Sequence, residues 1–320
     1  MNTCLRMGVC FMALALGAAI ASRAQTAKRR ELPAGAEAIS LLGKTLASKP
    51  PAGEAKTRLD AELAAAQRDF DASAANGVAS ADAFIWLGRR TAYLGRFRDA
   101  IAIYTRGIAA HPNDARLYRH RGHRYITVRE LDPAIADLER AARLAAGHKD
   151  EVEPDGRPNA RNTPIGTTQS NIYYHLGLAY YLQGDFRRAL TAYQECMKFS
   201  GNPDRLVSTS HWLYMTLRRL GRTAEAARVL EAITPQMDII ENRSYHRLLL
   251  LYKGVLTPQE LLGKAVDAND PPTIGYGVAN WHYYNGRREE ALALWRIIVE
   301  GETWAAFGYI AAEAELARAH

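Results

Sequence analysis

Tyr173-Tyr174-His175-Leu176-Gly177-Leu178-Ala179-Tyr180 runs on to Gly184, and Ala189, Tyr193 and Cys196 follow. Apolar and aromatic residues recur here every three or four positions, the period of a helix buried along one stripe. Gly184 interrupts the run and the same period resumes after it. The stretch therefore predicts two helices joined by a tight turn. Gly177 and Ala189 are small, which lets two antiparallel helices approach closely. Tyr193 is large enough to fill the space between neighbouring pairs.

The pattern is not local. Sliding the chain by 34 residues places Phe84 on Tyr118, Gly88 on Gly122, Ala100 on Ala134 and Gly107 on Ala141 without a gap. Gly177 lies 55 residues after Gly122, one period plus a 21-residue insertion. A fixed period of this length marks a repeat architecture, in which one helix pair cannot bury its apolar face alone and stacking makes the core continuous. In Phe84, Leu87, Gly88, Gly95, Ala100, Tyr104, Gly107 and Pro112 the sequence resembles the tetratricopeptide repeat family, with Thr91 where that family has a tyrosine. The resemblance covers roughly residues 81–318. It implies an all-α, right-handed superhelical solenoid with capping helices, and a non-catalytic role in binding other proteins.

On this reading the chain divides into a leader at 1–24, a helical lead at 25–80, and repeats at 81–114 and 115–148. An acidic inserted loop at 149–169 and a third repeat at 170–203 follow. A fourth repeat at 207–240, a degenerate one at 241–271 and a further one at 272–302 complete the array, with a capping helix at 303–320. In the lead, Ala36–Leu46 and Lys56–Phe70 are spaced as a helix pair around Lys49-Pro50-Pro51-Ala52-Gly53. Thr257-Pro258-Gln259-Glu260 is a capping box with proline at the first helical position. The mix of Trp304, Phe307 and Ala311 with Glu313, Glu315 and Arg318 predicts a solvated end cap.

The leader has Arg6 before an apolar run from Met7 to Ile20, too short to span a bilayer. Ser22 and Ala24 follow at the spacing of a cleavage site, so cleavage is expected between Ala24 and Gln25, with export to the periplasm or secretion. Two of the three cysteines lie in the leader, which leaves Cys196 alone and the fold dependent on its core. The whole chain carries 41 basic and 34 acidic residues, 33 of the former being arginine. That excess is too small and too dispersed for nucleic acid. No later segment is long and apolar enough to cross a membrane.

Nucleotide loops, paired-cysteine metal motifs and nucleophile elbows are lacking, so no catalytic residue, cofactor or metal is expected. The densest unusual segment is Arg119-His120-Arg121-Gly122-His123-Arg124-Tyr125. The resemblance implies that first helices line a concave groove, and it puts Arg89, Tyr93, Arg119, His123, Tyr174, His211 and Asn280 there. Such a basic and aromatic face suits a protein or extended peptide offering an acidic segment or a C-terminal carboxylate, since arginine forks grip carboxylates and tyrosines stack at low entropic cost. It looks like the carboxylate clamp of chaperone-binding members of the family, which use lysine and asparagine where this chain has arginine and histidine. Arg121 stands where Leu87 and Leu176 stand in other repeats, so it needs an anion. The insert brings Asp150, Glu151, Glu153 and Asp155, and Glu153 and Asp155 are expected to form a lid over the arginines. The runner-up is a small-molecule, metal-binding or hydrolytic site where this insert meets the arginine- and histidine-rich helix.

Overall fold

A computed structural model describes residues 32–75, 77–263 and 271–319, so the expected leader at 1–24 lies outside the described residues. The described chain is an all-α solenoid of antiparallel helix pairs. A long helix α1 (Gly53–Ala74) leads into the pairs α2 (Ala81–Tyr93) with α3 (Phe97–Ala110), α4 (Ala115–Thr127) with α5 (Leu131–Ala145), and α6 (Thr168–Gln183) with α7 (Phe186–Lys198). Then come α8 (Pro203–Arg219) with a short α9 (Thr223–Val229), α10 (Arg243–Tyr252) with α11 (Pro258–Leu262), and α12 (Pro271–Tyr284) with α13 (Arg288–Glu300). The last helix is α14 (Phe307–Ala319). Most of the degenerate repeat's end, 264–270, lies outside the described residues.

Helix starts are set by side chains that accept from otherwise unpaired backbone N–H groups. Ser80, Asp185 and Asn202 do so for α2, α7 and α8. Thr257 and Glu260 form the reciprocal capping box of α11. Within pairs the small residues decide the spacing. A Cβ on Gly88 would lie 2.3 Å from the Tyr104 ring, and one on Gly177 2.7 Å from the Tyr193 ring. Each tyrosine ring thus packs directly against a glycine of its partner helix, and both rings are fully buried.

The turn inside each pair uses a left-handed residue. Gly95, Gly184, Gly221 and Gly286 take it with φ of 78°, 82°, 72° and 81°. The equivalent residue of the second repeat is Arg129, at φ 65°. A side chain in that region costs about 1 kcal/mol or more, so something else must hold Arg129 there.

That something is the C-terminal segment, and here two expectations fail. Residues 303–319 do not form a solvated cap. From Gly308 to Leu316 the helix α14 is buried on every side, with Glu313 1% and Glu315 3% exposed. It packs against α12, α13 and α6. A Cβ on Gly308 would lie 2.2 Å from the Pro272 carbonyl oxygen, so only glycine permits this approach. Its carboxylates are neutralised from distant repeats. Arg129 Nε and Nη2 donate to Glu313 at 3.0 and 3.1 Å. Arg219 Nη1 donates to Glu315 at 2.6 Å, and the Tyr276 hydroxyl at 3.2 Å. Arg129 also donates to the Trp304 carbonyl at 2.7 Å, and its guanidinium lies over the Trp304 ring.

Second, Ala36–Leu46 is not a helix. It is a hairpin of β1 (Ala38–Ile39) and β2 (Thr45–Leu46), antiparallel with Ala38 opposite Leu46. The Ser40 hydroxyl accepts from the Leu42 and Lys44 backbone N–H groups and tightens the turn. Ala38 and Leu46 face the core of the first repeat. The loop after it meets the C-terminal segment: Trp304 Nε1 donates to the Ala47 carbonyl at 3.0 Å, and Lys49 pairs with Glu302. The two ends of the described array are thereby tied together.

Candidate functional site

Residues four apart share a helix face. That puts Arg89 and Tyr93 of α2, and Arg119 and His123 of α4, on one side of the array. Tyr174 of α6 meets the same space. The face is basic and aromatic, and it is covered by two segments of the chain itself.

One cover is the acidic insert. It leaves α5 and returns to α6 through a neck in which Val152 bridges Thr167 and Glu153 N donates to the Gly166 carbonyl at 2.9 Å. Beyond the neck it lies across α2 as a strap. Arg89 donates to the Pro154 carbonyl and Arg90 to the Gly156 carbonyl, both at 2.8 Å. Arg157 stacks over the Tyr93 ring at 4.7 Å. The far edge is held by Arg161, which grips Asp238 with two 2.6 Å bonds, and by Asn159, which donates to Glu241 at 2.6 Å. Glu153 turns inward and is buried. Its carboxylate lies 3.1 Å from Arg119 Nη2 and 3.4 Å from His120 Nε2, and accepts from Asn171 Nδ2 at 2.9 Å. Asp155 stays near Arg89, with its acidity weakened by burial and then by Glu241. Arg121 is not served by the strap: it forms a double bond pair with Asp137 of its own repeat, at 2.7 Å each.

The other cover is the start of α14. The Phe307 ring lies 5.4 Å from that of His123 and 5.7 Å from that of His175, and the two imidazoles are 4.3 Å apart. Between strap and Phe307 a cavity of about 320 Å³ remains, lined by Arg89, Arg119, Glu153, Asn171, Arg205 and Tyr245 among others. A second cavity of about 290 Å³ opens beyond Phe307 around His123 and Arg124.

Burial, and then the arginine charges, hold His120, His123 and His175 well below the ordinary histidine range. They are neutral near pH 7 and act as hydrogen-bonding and packing groups. His175 bonds through Nδ1 to the Asn171 carbonyl at 2.6 Å. Among the described residues no three His, Cys, Asp or Glu side chains gather as a metal site. Burial pushes the Cys196 thiol up, so it is a poor nucleophile.

Three of the expected groove residues are buried here, Tyr174 in the wall of the first cavity and His211 and Asn280 away from both. Tyr174 accepts from Trp212 Nε1 at 2.9 Å and shares a 3.1 Å bond with the Tyr245 hydroxyl. His211 is stacked on Tyr252 and 1% exposed. Asn280 is wholly buried and donates to the Tyr181 hydroxyl at 2.8 Å. These helices pack against α10, α12 and α14 on the side where an open superhelix would face solvent.

Residues 170–203, which are α6 and α7 with the turn into α8, match the tetratricopeptide repeat family model. This chain carries a tetratricopeptide repeat. No curated protein matches it significantly. The matched tetratricopeptide repeat supplies Asn171, Tyr174 and His175 to the site, so the repeat scaffold and the covered basic face are one structure.

Sequence reasoning passed over Arg129, Asn171 and Arg205, and it took Glu313 and Glu315 for solvated charges. Arg129 left a signal: the 34-residue register puts an arginine where the other turns have glycine. Arg205 left none, because its contact is a carbonyl, that of Ser170 at 2.9 Å, fixed only by the stacking of α8 on α6.

Proposed function

We propose that this protein is a non-catalytic scaffold that binds a protein or an extended peptide through its basic inner face. The partner offers an acidic segment or a C-terminal carboxylate. Export, to the periplasm or beyond, is part of the same reading and rests on the leader at 1–24.

The observation that carries it is the seat of Glu153. A carboxylate held by Arg119 and Asn171 is what an acidic partner would present, and the chain fills that seat with its own strap. The strap is displaceable in principle. The Arg161–Asp238 pair that fastens its far edge is half exposed or more, and solvent and salt screen such a pair so that it holds the strap only weakly. Arg89 and Tyr93 become available once the strap lifts.

Panning a random peptide library against the full chain tests this. Acidic peptides should be enriched. Glu153→Gln should tighten their binding by about threefold to tenfold, because the internal competitor is weakened. Arg119→Gln should weaken it by at least about tenfold. A library that enriches no acidic sequence, or peptides indifferent to both substitutions, removes the reading.

A further inference from the structure

We propose that the cavity beyond Phe307 is a separate binding site for a monocarboxylate with a compact apolar body, received by Arg124. The proposal stands independently of the peptide reading, since neither the strap nor Arg119 lines this cavity.

The argument begins with charge. Arg89, Arg119 and Arg124 crowd one inner face and repel one another. Arg119 has Glu153, and Arg89 has the strap carbonyl with Asp155 nearby. Elsewhere along α4 and its turn, Arg116 has Asp114, Arg121 has Asp137 and Arg129 has Glu313. Among the described residues no carboxylate pairs with Arg124. Its Nη2 lies against the His123 ring nitrogens, at 2.7 and 2.5 Å, and its guanidinium sits 5.6 Å from the Phe97 ring centroid. Neither neighbour can supply a negative charge, since an imidazole is neutral or cationic and a phenyl ring is uncharged. Burial lowers the Arg124 guanidinium to about 10, which still leaves it a cation near neutral pH. A half-buried cation without an anion is costly to keep, and a ligand that supplies the anion is correspondingly favoured.

The walls select the rest of the ligand. The cavity is about 290 Å³ and is bounded by Phe97, Phe307, Tyr245, Thr127 and Thr273 beside His123 and Arg124. At the ~30 Å³ that a water takes in the liquid, it holds about ten non-hydrogen atoms. A planar carboxylate matches the free edge of a guanidinium, whereas a phosphate dianion calls for more than one cation. The three aromatic rings of Phe97, Phe307 and Tyr245 then suit an aryl or alkyl body. The carboxylate belongs either to a free organic acid or to the end of a peptide chain.

Isothermal titration of the full chain tests this with benzoate, with benzamide as the neutral isostere, and with N-acetyl-glycyl-phenylalanine as acid and as amide. One benzoate should bind per chain, and benzamide at least about tenfold more weakly. Arg124→Gln should lower benzoate affinity by at least about tenfold, with Arg124→Lys intermediate. Tighter binding of benzoate than of the peptide acid identifies a free acid as the source; the reverse order identifies a chain end. Equal binding of benzoate and benzamide, or no binding of any acid, overturns the site. So does benzoate affinity unchanged in Arg124→Gln. If that variant does not fold, benzoate should still protect Arg124 of the unaltered protein from an arginine-directed dicarbonyl reagent, read by peptide mass mapping. Absence of protection overturns the proposal.

Discussion

Replacing Glu313 by alanine is expected to lower stability by about 3–5 kcal/mol, the cost of stranding one member of a buried ion pair. Arg129 and Glu313 are 2% and 1% exposed at their side chains, so neither can turn to water without opening the packing of α14. Arg129 would keep its bonds to the Thr127 and Trp304 carbonyls, but its charge would be uncompensated. The loss is a third or more of the stability of many domains. Arg129→Gly sets two effects against each other. Glycine relieves the left-handed backbone by about 1 kcal/mol, as in the neighbouring turns, while Glu313 is left buried alone at about 3–5 kcal/mol. The second wins, so this variant should also be destabilised. The pair Arg129→Met with Glu313→Leu should recover most of the loss, because both charges are gone and apolar volume remains. Urea unfolding of these variants, together with the unaltered protein and the single Arg129→Met and Glu313→Leu proteins, checks this. An additive double variant would show that the pair is not coupled.

The second expectation is acid lability beginning in the range of histidine rather than of carboxylates. His120, His123, His175 and His211 all have their protonation disfavoured in the folded chain, with His211 pushed down to about 3 by burial. In the unfolded chain histidine titrates near 6.5. Below that value the unfolded state binds protons that the folded state refuses, so stability is fully present above pH 6.5 and falls as pH drops toward the folded values. For His211 the loss at pH 5 is on the order of 2 kcal/mol, from 1.36 kcal/mol per unit, and the other three act in the same direction. Urea midpoints at pH 7.5, 6.5 and 5.0 measure it. A midpoint unchanged from pH 7.5 to 5.0 would show that these histidines are reached by solvent.

The repeat core was legible because its signals are periodic and local. Gly88 under Tyr104 and Gly177 under Tyr193 are visible as small and large residues at fixed offsets, and the close contacts follow from them. The capping box at Thr257 is equally local. The hairpin at 38–46 was not legible, since its few apolar residues fit a helical stripe as well as an alternating strand; Ser40 and the first repeat decide between them. The fate of the C-terminal helix was hidden for a different reason. Glu313 and Glu315 read as solvent-facing charges, and the residues that neutralise them, Arg129 and Arg219, lie 184 and 96 positions away. His211 becomes core under Tyr245 and Tyr252 of α10, and Asn280 through the packing of α12 against α6 and the buried α14. The strap was readable in its chemistry, an acidic insert beside an arginine-rich helix, but the fastening of its far edge to Asp238 and Glu241 depended on the loop before α10.

The central claim is that the chain covers its own inner face, with α14 as an integral part of the core. Amide hydrogen exchange in the native protein tests it most directly. Cooperative units that open together exchange together, and the most protected amides open only with global unfolding. The account predicts that amides of α14 from Ile310 to Leu316 exchange as slowly as those of α6, and that Glu313→Ala accelerates both sets together. Exchange of α14 within minutes while α6 stays protected would contradict it, and would describe an open groove with a loosely attached end.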